Sequence, residues 1–577
     1  MTRFDSAGPL PEPGQDLSLA ASAGTGKTWA IATLAARYIL EAGRPVDQVM
    51  VVTFSRASTE ELRGRVRGRL EAAADALRAA LADGPAPPGG APDSPDGLGR
   101  PSPTGDAGAD GFGRGKPAVL RQRLARAEAA LRDFDRAAIF TTHSFCDGML
   151  TDLGVLVDHD PTDQLTTDLT PLASQAAADL YVARYAATGA PFPFAAAAGW
   201  AKRAVFDPTL DLAAAEAAAP ANDFAAAARQ RVGRAKRRLG RYSYDDMLIR
   251  LRDALADPVT GGAARARLAA SYPVVLVDEF QDTDPIQWDI LRLAFAGRSA
   301  LVLVGDPKQS IYGFRGADVE AYVEAASLGR QAALDTNRRS APALVQAVQS
   351  LMGGLSLGHP QITVGPVLTD GATPRLTGAA GTPWAAPFRL RAPESTEPMA
   401  VSEARRLIDD DLAADIAALL ADGPRLLEPG AAAARPLRAG DLAVIVSTNR
   451  RGQEILARLT AAGLPAVFTG VESVFASPAA ADWTSLLAAI AEPRTGRVRA
   501  AGLTALVGWT LDDLADAPPD RLADLAAAVR HASDLLAGPG PAAVFEWLAD
   551  QTGLAARLAA APAAARTWTD LRHLAEL

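Results

Sequence analysis

Lys27, Thr28, Asp278 and Glu279 have residue types and neighbours suited to handling a nucleoside triphosphate. The first two close a glycine-rich segment, Ala21-Ser22-Ala23-Gly24-Thr25-Gly26-Lys27-Thr28. Such a turn aims backbone N–H groups and a helix N-terminus at phosphates. Its lysine reaches the terminal phosphates and its threonine hydroxyl ligates magnesium. Far downstream, Val274-Val275-Leu276-Val277-Asp278-Glu279-Phe280-Gln281-Asp282 delivers two carboxylates at the end of an apolar run. One can hold the magnesium shell and the other can polarise an attacking water. A third block, running from Leu301 to Asp318, places Gln309 where it can sense a terminal phosphate, followed by Tyr312, Phe314 and Arg315. The two aromatics either pack into a core or offer faces to unpaired bases, worth ~1–3 kcal/mol per base. The first two segments read as halves of one ATP-hydrolysing site with Mg2+ as its metal.

Those residues need a frame. An apolar run, Leu17 to Ala20, precedes the glycine-rich turn, and a helical stretch, Trp29 to Leu40, follows it. Val49 to Phe54, Val274 to Asp278 and Leu301 to Gly305 are β-branched, apolar and bounded by polar turns. Runs of this kind suit a parallel sheet covered by helices on both faces, with ligands at the carboxyl ends of its strands. The expected class is α/β. One departure is visible: position 21 is alanine where the strict phosphate-loop pattern has glycine.

The 577 residues suffice for three or four domains. Hydrophobic residues make up 49%, mostly alanine, and no run of ~18 or more lacks polar interruptions, so no membrane span is expected. The N-terminus carries no apolar signal-peptide core. One cysteine, Cys146, excludes an internal disulfide framework and any cysteine-rich metal site, and fits a reducing cytoplasm. Its neighbours are apolar, so it reads as a small core residue. The net charge of −9 argues mildly against a dedicated nucleic-acid module, although local basic tracks decide phosphate contact in a large enzyme.

Residues 83–117, rich in Gly, Pro, Asp and Ser, read as a disordered insertion between helices at Thr59 to Leu81 and Ala118 to Arg132. Ser58 and Glu61 have capping-box spacing at the start of the first helix. Between Phe134 and Ala269 the pattern is mostly helical, with one short apolar run at Ala137 to Phe140. Asp441 to Val446 reads as a further strand leading into a helix from Arg451.

Taken together, these segments resemble the motifs of UvrD/Rep-type superfamily 1 helicases. The glycine-rich loop is similar to their motif I, Val51 to Leu62 to motif Ia, and Thr142-His143-Ser144-Phe145-Cys146 to motif Ib. Asp278 to Thr283 looks like motif II, Gly305 to Tyr312 like motif III, and Asp335-Thr336-Asn337-Arg338-Arg339-Ser340 like motif IV. The opening Gly8-Pro9-Leu10-Pro11, Tyr244 to Leu248, Glu472-Ser473-Val474-Phe475 and the closing Leu571 to Leu577 place the resemblance in the RecB-like branch.

The resemblance implies RecA-like lobes with helical inserted domains. On that pattern 1–82 and 263–335 form the first lobe, 118–262 a helical insertion, 336–505 the second lobe and 506–577 the start of another helical domain. Ala21, Ser22, Ala23, Gly24, Thr25, Gly26, Lys27, Thr28 and Arg338 would bind ATP. Thr28 and Asp278 would hold Mg2+, and Glu279 would be the base. Gln309 and Arg339 would meet the γ-phosphate, Arg339 from the second lobe. Phe54, Arg56, His143, Tyr312, Phe314 and Arg315 would touch single-stranded DNA.

The implied activity is 3′–5′ translocation and unwinding at DNA ends in break repair, with RecC-like and RecD-like partners. Departures are the missing adenine-reading glutamine motif, arginine at 338 in place of an aromatic, and no segment resembling motifs V and VI or a nuclease domain. The last leads the chain to be expected as the N-terminal part of a longer protein. It keeps open a non-catalytic ATP- and DNA-binding fragment or scaffold, and an ATPase acting on protein remains a further rival.

Overall fold

Parallel strands buried on both faces account for the apolar runs. The computed structural model describes residues 2–82, 111–157, 162–207, 210, 212, 219–311, 313, 318–370, 375–380, 382, 384, 387–392, 397–428, 431–469, 473–559 and 564–577. The chain forms two compact units, one of residues 1–392 with 422–437 and another of 393–421 with 438–577.

The first unit begins with β1 (Thr2–Arg3), β2 (Asp16–Ala21), α1 (Lys27–Leu40), β3 (Val49–Thr53), α2 (Arg56–Ala82), α3 (Pro117–Arg132), β4 (Ile139–Thr141) and α4 (Thr142–Leu153). It continues through β5 (Gln164–Leu165), α5 (Thr170–Tyr185), α6 (Phe194–Phe206), α7 (Ala219–Arg238), β6 (Arg241–Tyr242), α8 (Tyr244–Ala256) and α9 (Gly261–Ser271). Then come β7 (Val274–Val277), α10 (Pro285–Phe295), β8 (Ala300–Gly305), α11 (Val319–Ser327), β9 (Arg330–Leu334), β10 (Thr336–Asn337), α12 (Pro342–Met352), β11 (Leu368–Thr369) and β12 (Leu376–Thr377). β13 (Arg425–Leu426) and β14 (Arg435–Pro436) close an antiparallel trio with β12.

Seven strands pair in the order β1-β9-β2-β8-β7-β3-β4, every pairing parallel. Alternation assigns the side chains to two cores. Val49, Val51, Val274, Leu276, Val302 and Val304 face α1, α2 and α3, whereas Met50, Val52, Val275, Val277, Leu301 and Leu303 face α4, α8, α10 and α11. All strand carboxyl ends therefore lie on one edge, where β2, β7, β8 and β9 release the candidate site residues.

The structure redraws several expectations. Ser55, not Ser58, caps α2: its Oγ accepts from the Ser58 N–H at 3.1 Å. Most of 83–117 lies outside the described residues, but Phe112 is buried in the sheet core and α3 already starts at Pro117. Helices α3, α4 and α8, within the stretch read as the helical insertion, pack on the sheet, as does α9. Helices α5, α6 and α7 pack around small cores of their own, one built on Phe224 and Ala201.

In the second unit, α13 (Val401–Ala421) meets α14 (Asn449–Ala461) through Ala413, Ile455 and Leu459. The strand expected at Asp441 to Val446 is not formed, and Ile445 is 94% exposed. No neighbouring strand takes up its backbone groups among the described residues, and an apolar run without a ladder partner stays irregular. Helix α14 starts at Asn449 on a Thr448 cap, two residues before the expected Arg451. From 478 on the described residues of the unit are mostly helical, around Trp483, Phe545 and Leu548. No helix among the described residues is long and apolar enough to cross a membrane.

Candidate active site

Two glycines bend the loop leaving β2. Gly24 and Gly26 take φ of 78° and 94°, the left-handed region that L side chains rarely adopt. Thr25 is buried and its hydroxyl donates to the Ser22 carbonyl at 2.7 Å, which tightens the turn. The loop ends in α1, whose first residue is Lys27 and second is Thr28. Three features converge on this point: left-handed glycines, the unsatisfied N–H groups of a first helical turn, and a lysine. Such a point is built for an anion.

Asp278 and Glu279 leave the end of β7, directly beside β8. Asp278 is buried, and its N–H donates to Val52 O at 2.8 Å, continuing the ladder with β3. Glu279 has φ 48°, the one positive φ at a non-glycine position among the described residues. Strain of this kind costs of order 1–3 kcal/mol and persists only where its surroundings fix it. The turn brings the Glu279 carboxylate to Lys27: Nζ lies 2.5 Å from Oε2, joining residues 252 apart in sequence. Lys27 Nζ also donates to Gln309 Oε1 at 3.4 Å.

Beneath this pair runs a polar network. Gln281, 2% exposed, donates from Nε2 to Glu279 Oε2 at 2.8 Å and to Asp282 Oδ2 at 3.3 Å. Its Oε1 accepts from the Asp306 N–H at 2.9 Å. Asp306 in turn accepts from Lys308 Nζ at 2.6 Å and from Gln309 Nε2 at 2.7 Å.

Acid groups outnumber the cation at this spot. Burial, and then the charge of Glu279, push the Asp278 carboxyl up to about 7; the charge of Lys27 only partly offsets them. The same two causes push Asp282 up to about 6, and its Oδ1 is buried without a hydrogen-bond partner. Hard oxygen donors crowded around one lysine suit Mg2+. Among the described residues no group of three or more His, Cys, Asp or Glu could hold a metal on its own. A magnesium ion carried on phosphates needs only one or two protein ligands, so Thr28 and Asp278 fit it.

Arg338 and Arg339 follow β10, within the first unit. Their segment packs on the phosphate loop. Asn337 Nδ2 donates to Ala23 O at 3.0 Å and the Arg338 N–H to Gly24 O at 2.9 Å. A Cβ at Gly24 would stand 2.8 Å from Asn337 Nδ2 and 2.9 Å from Arg339 Cβ. Both arginines are exposed beside the loop.

Phe54 and Thr142 share a cleft with Asp278, Glu279 and Asp282. His143 is half-buried, its ring 4.6 Å from that of Tyr244, and burial lowers its pKa. Arg56 is exposed on the first turn of α2. Tyr312, Phe314 and Arg315 lie outside the described residues. Cys146 is fully buried, as a core residue should be, and burial pushes its thiol up. Sequence reasoning assigned no role to Gln281, Asp306 or Asn337. A buried glutamine two positions after the glutamate was the available signal.

Comparison with known proteins gives one concordant result. Residues 6–328, more than half of the chain, match the UvrD/REP helicase N-terminal domain. The RecBCD enzyme subunit RecB of Mycobacterium tuberculosis (strain H37Rv) is 39% identical over 594 residues, covering 100% of this chain and 51% of the relative. RecB of Mycolicibacterium smegmatis is also 39% identical, over 597 residues, with 100% and 51% covered. RecB of Escherichia coli (strain K12) is 32% identical over 370 residues, 60% of this chain and 30% of the relative. The chain spans about half the length of the mycobacterial relatives.

Proposed function

Because the chain belongs to the UvrD/REP helicase family, we propose that it is the ATP-driven motor of a RecB-type DNA helicase, moving 3′ to 5′ at DNA ends in double-strand break repair. The observation that carries this reading is the Lys27–Glu279 contact, which joins the phosphate loop to the strand-end carboxylates in one site.

In this reading Lys27 exchanges Glu279 for the β- and γ-phosphates when ATP enters, and the loop from Ala21 to Gly26 cradles them. Thr28 and Asp278 would hold magnesium, which supplies charge neutralisation on the transferring phosphoryl group. Glu279, released from Lys27, takes the proton of the attacking water. Gln309 and Arg339 meet the γ-phosphate, and Arg338 offers a guanidinium plane to the nucleotide. A missing arginine of the kind assigned to Arg339 costs about 10³–10⁵ in rate.

Phe54, Arg56, His143, Tyr312, Phe314 and Arg315 are assigned to the DNA strand. The relatives' description as RecBCD enzyme subunits supports RecC-like and RecD-like partners, and the single, buried cysteine fits a reducing cytoplasm as the place of action. The first lobe, by this assignment, is the seven-stranded sheet with its helices, and α5 to α7 are its helical insertion.

Fluorescence anisotropy of a labelled oligo(dT) strand tests the DNA half of this reading. Binding should weaken steeply between about 50 and 200 mM salt and shift on adding a non-hydrolysable ATP analogue with Mg2+. Absence of binding at low salt contradicts a DNA motor.

A further inference from the structure

Gln281 sits between the base and the loop that follows β8, and its amide orientation is fixed by chemistry. A backbone N–H only donates, so the Gln281 atom facing the Asp306 N–H at 2.9 Å must be oxygen. The NH2 end then faces Glu279 Oε2 at 2.8 Å and Asp282 Oδ2 at 3.3 Å. The Gln281 backbone carbonyl accepts from Ser310 Oγ at 3.1 Å, a second tie to the same loop. Space is reserved for this arrangement: a Cβ on Gly305 would stand 2.8 Å from Gln281 Oε1 and 3.1 Å from Tyr322. At 2% exposure the side chain has no freedom to seek other partners.

From this geometry we infer that Gln281 is a positioning residue: it holds the Glu279 carboxylate in place for base catalysis and links it to the loop carrying Gln309. The inference rests on the motor reading above. Glu279 Oε2 is shared by Lys27, at 2.5 Å, and Gln281. When Lys27 turns to phosphate, Gln281 is the partner that remains. Without it, the carboxylate, already on a left-handed backbone, is free to swing from the water it must deprotonate. Because the same amide grips the Asp306 N–H, and Asp306 Oδ2 accepts from Gln309 Nε2 at 2.7 Å, a shift of the phosphate-sensing loop is felt at the base.

Gln281→Glu separates positioning from packing. Its carboxyl keeps the side-chain volume and an oxygen for the Asp306 N–H, but donates to Glu279 only when protonated. The groups facing it are the carboxylates of Glu279, Asp282 and Asp306 and the cations of Lys27 and Lys308. DNA-stimulated ATPase would be measured from pH 6 to pH 8.5 for the whole chain, as wild type, Gln281→Glu and Gly305→Ala, with thermal melting of each.

The expected result for Gln281→Glu is a kcat at least about ten-fold below wild type at pH 8, with the variant-to-wild-type ratio recovering as pH falls and the KM for ATP within about two-fold. Gly305→Ala should lose kcat without recovery in acid. Wild-type kcat in Gln281→Glu at pH 8 overturns the inference. So does a loss that is flat with pH and matched by a raised KM and lowered melting temperature, which marks packing alone. A wild-type chain inert with DNA sinks the motor reading itself, and the role of Gln281 with it.

Discussion

At the scale of single residues the site is a balance of one lysine against several carboxylates. Asp278 carries the sharpest consequence. Its folded pKa of about 7 lies above the ordinary 3.8, so the fold favours its protonated form. That stability is fully present below pH ~4 and is lost as pH rises through 7, where the buried ionised carboxylate becomes a cost. Asp278→Asn should therefore be more stable than wild type at pH 8 in EDTA without nucleotide, by an unfolding free energy on the order of 2–4 kcal/mol, and melt higher. The gap should close toward pH 4. Glu279, Lys27 and Glu61 are the charged groups acting on it, and equal melting curves at pH 8 would contradict this balance. Lys27, Asp278 and Glu279 stood out in the sequence because their spacing within each segment suits phosphate chemistry, and the structure brings Lys27 to Glu279. Gln281 was not, because its contribution depends on Asp306 and Gly305, which only the pairing of β7 with β8 brings near.

Among the elements, the strands were legible and their caps less so. Val49 to Thr53 and Val274 to Val277 are β-branched runs with both faces covered, and such runs have few alternatives. Ser55 and Ser58 both precede a helical stretch, and the choice between them turns on which hydroxyl meets an N–H three residues on. Asp441 to Val446 has the composition of a strand, but composition does not supply a ladder partner. The turn at Gly24 makes the most direct prediction at this scale. Gly24→Ala forces a side chain into a left-handed backbone and against Asn337 and Arg339. It should cost about 1–2 kcal/mol of stability and weaken nucleotide binding, because Ala23 and Gly24 carbonyls hold the arginine-bearing segment. Unchanged melting together with unchanged binding of a fluorescent ATP analogue would remove the strain argument.

For the whole molecule, the sequence motifs located both halves of the site although Lys27 and Glu279 lie 252 residues apart. Domain limits were harder to read. Helices α3, α4 and α8 fall in the same helix-rich stretch of sequence as α5 to α7, and only packing separates those that cover the sheet from those with cores of their own. Motif order gave the identity of Arg339, whereas the contacts of Asn337 and Arg338 that tie its segment to the phosphate loop appear only in the folded chain. Joined in this way, these parts are proposed to form a DNA-responsive ATPase. Its most direct test is the rate of ATP hydrolysis by the purified chain with Mg2+, with and without single-stranded DNA, beside Lys27→Ala. DNA should stimulate turnover, and the substitution should abolish it. Binding of ATP and DNA with no stimulated turnover, or turnover indifferent to Lys27→Ala, would contradict the proposal.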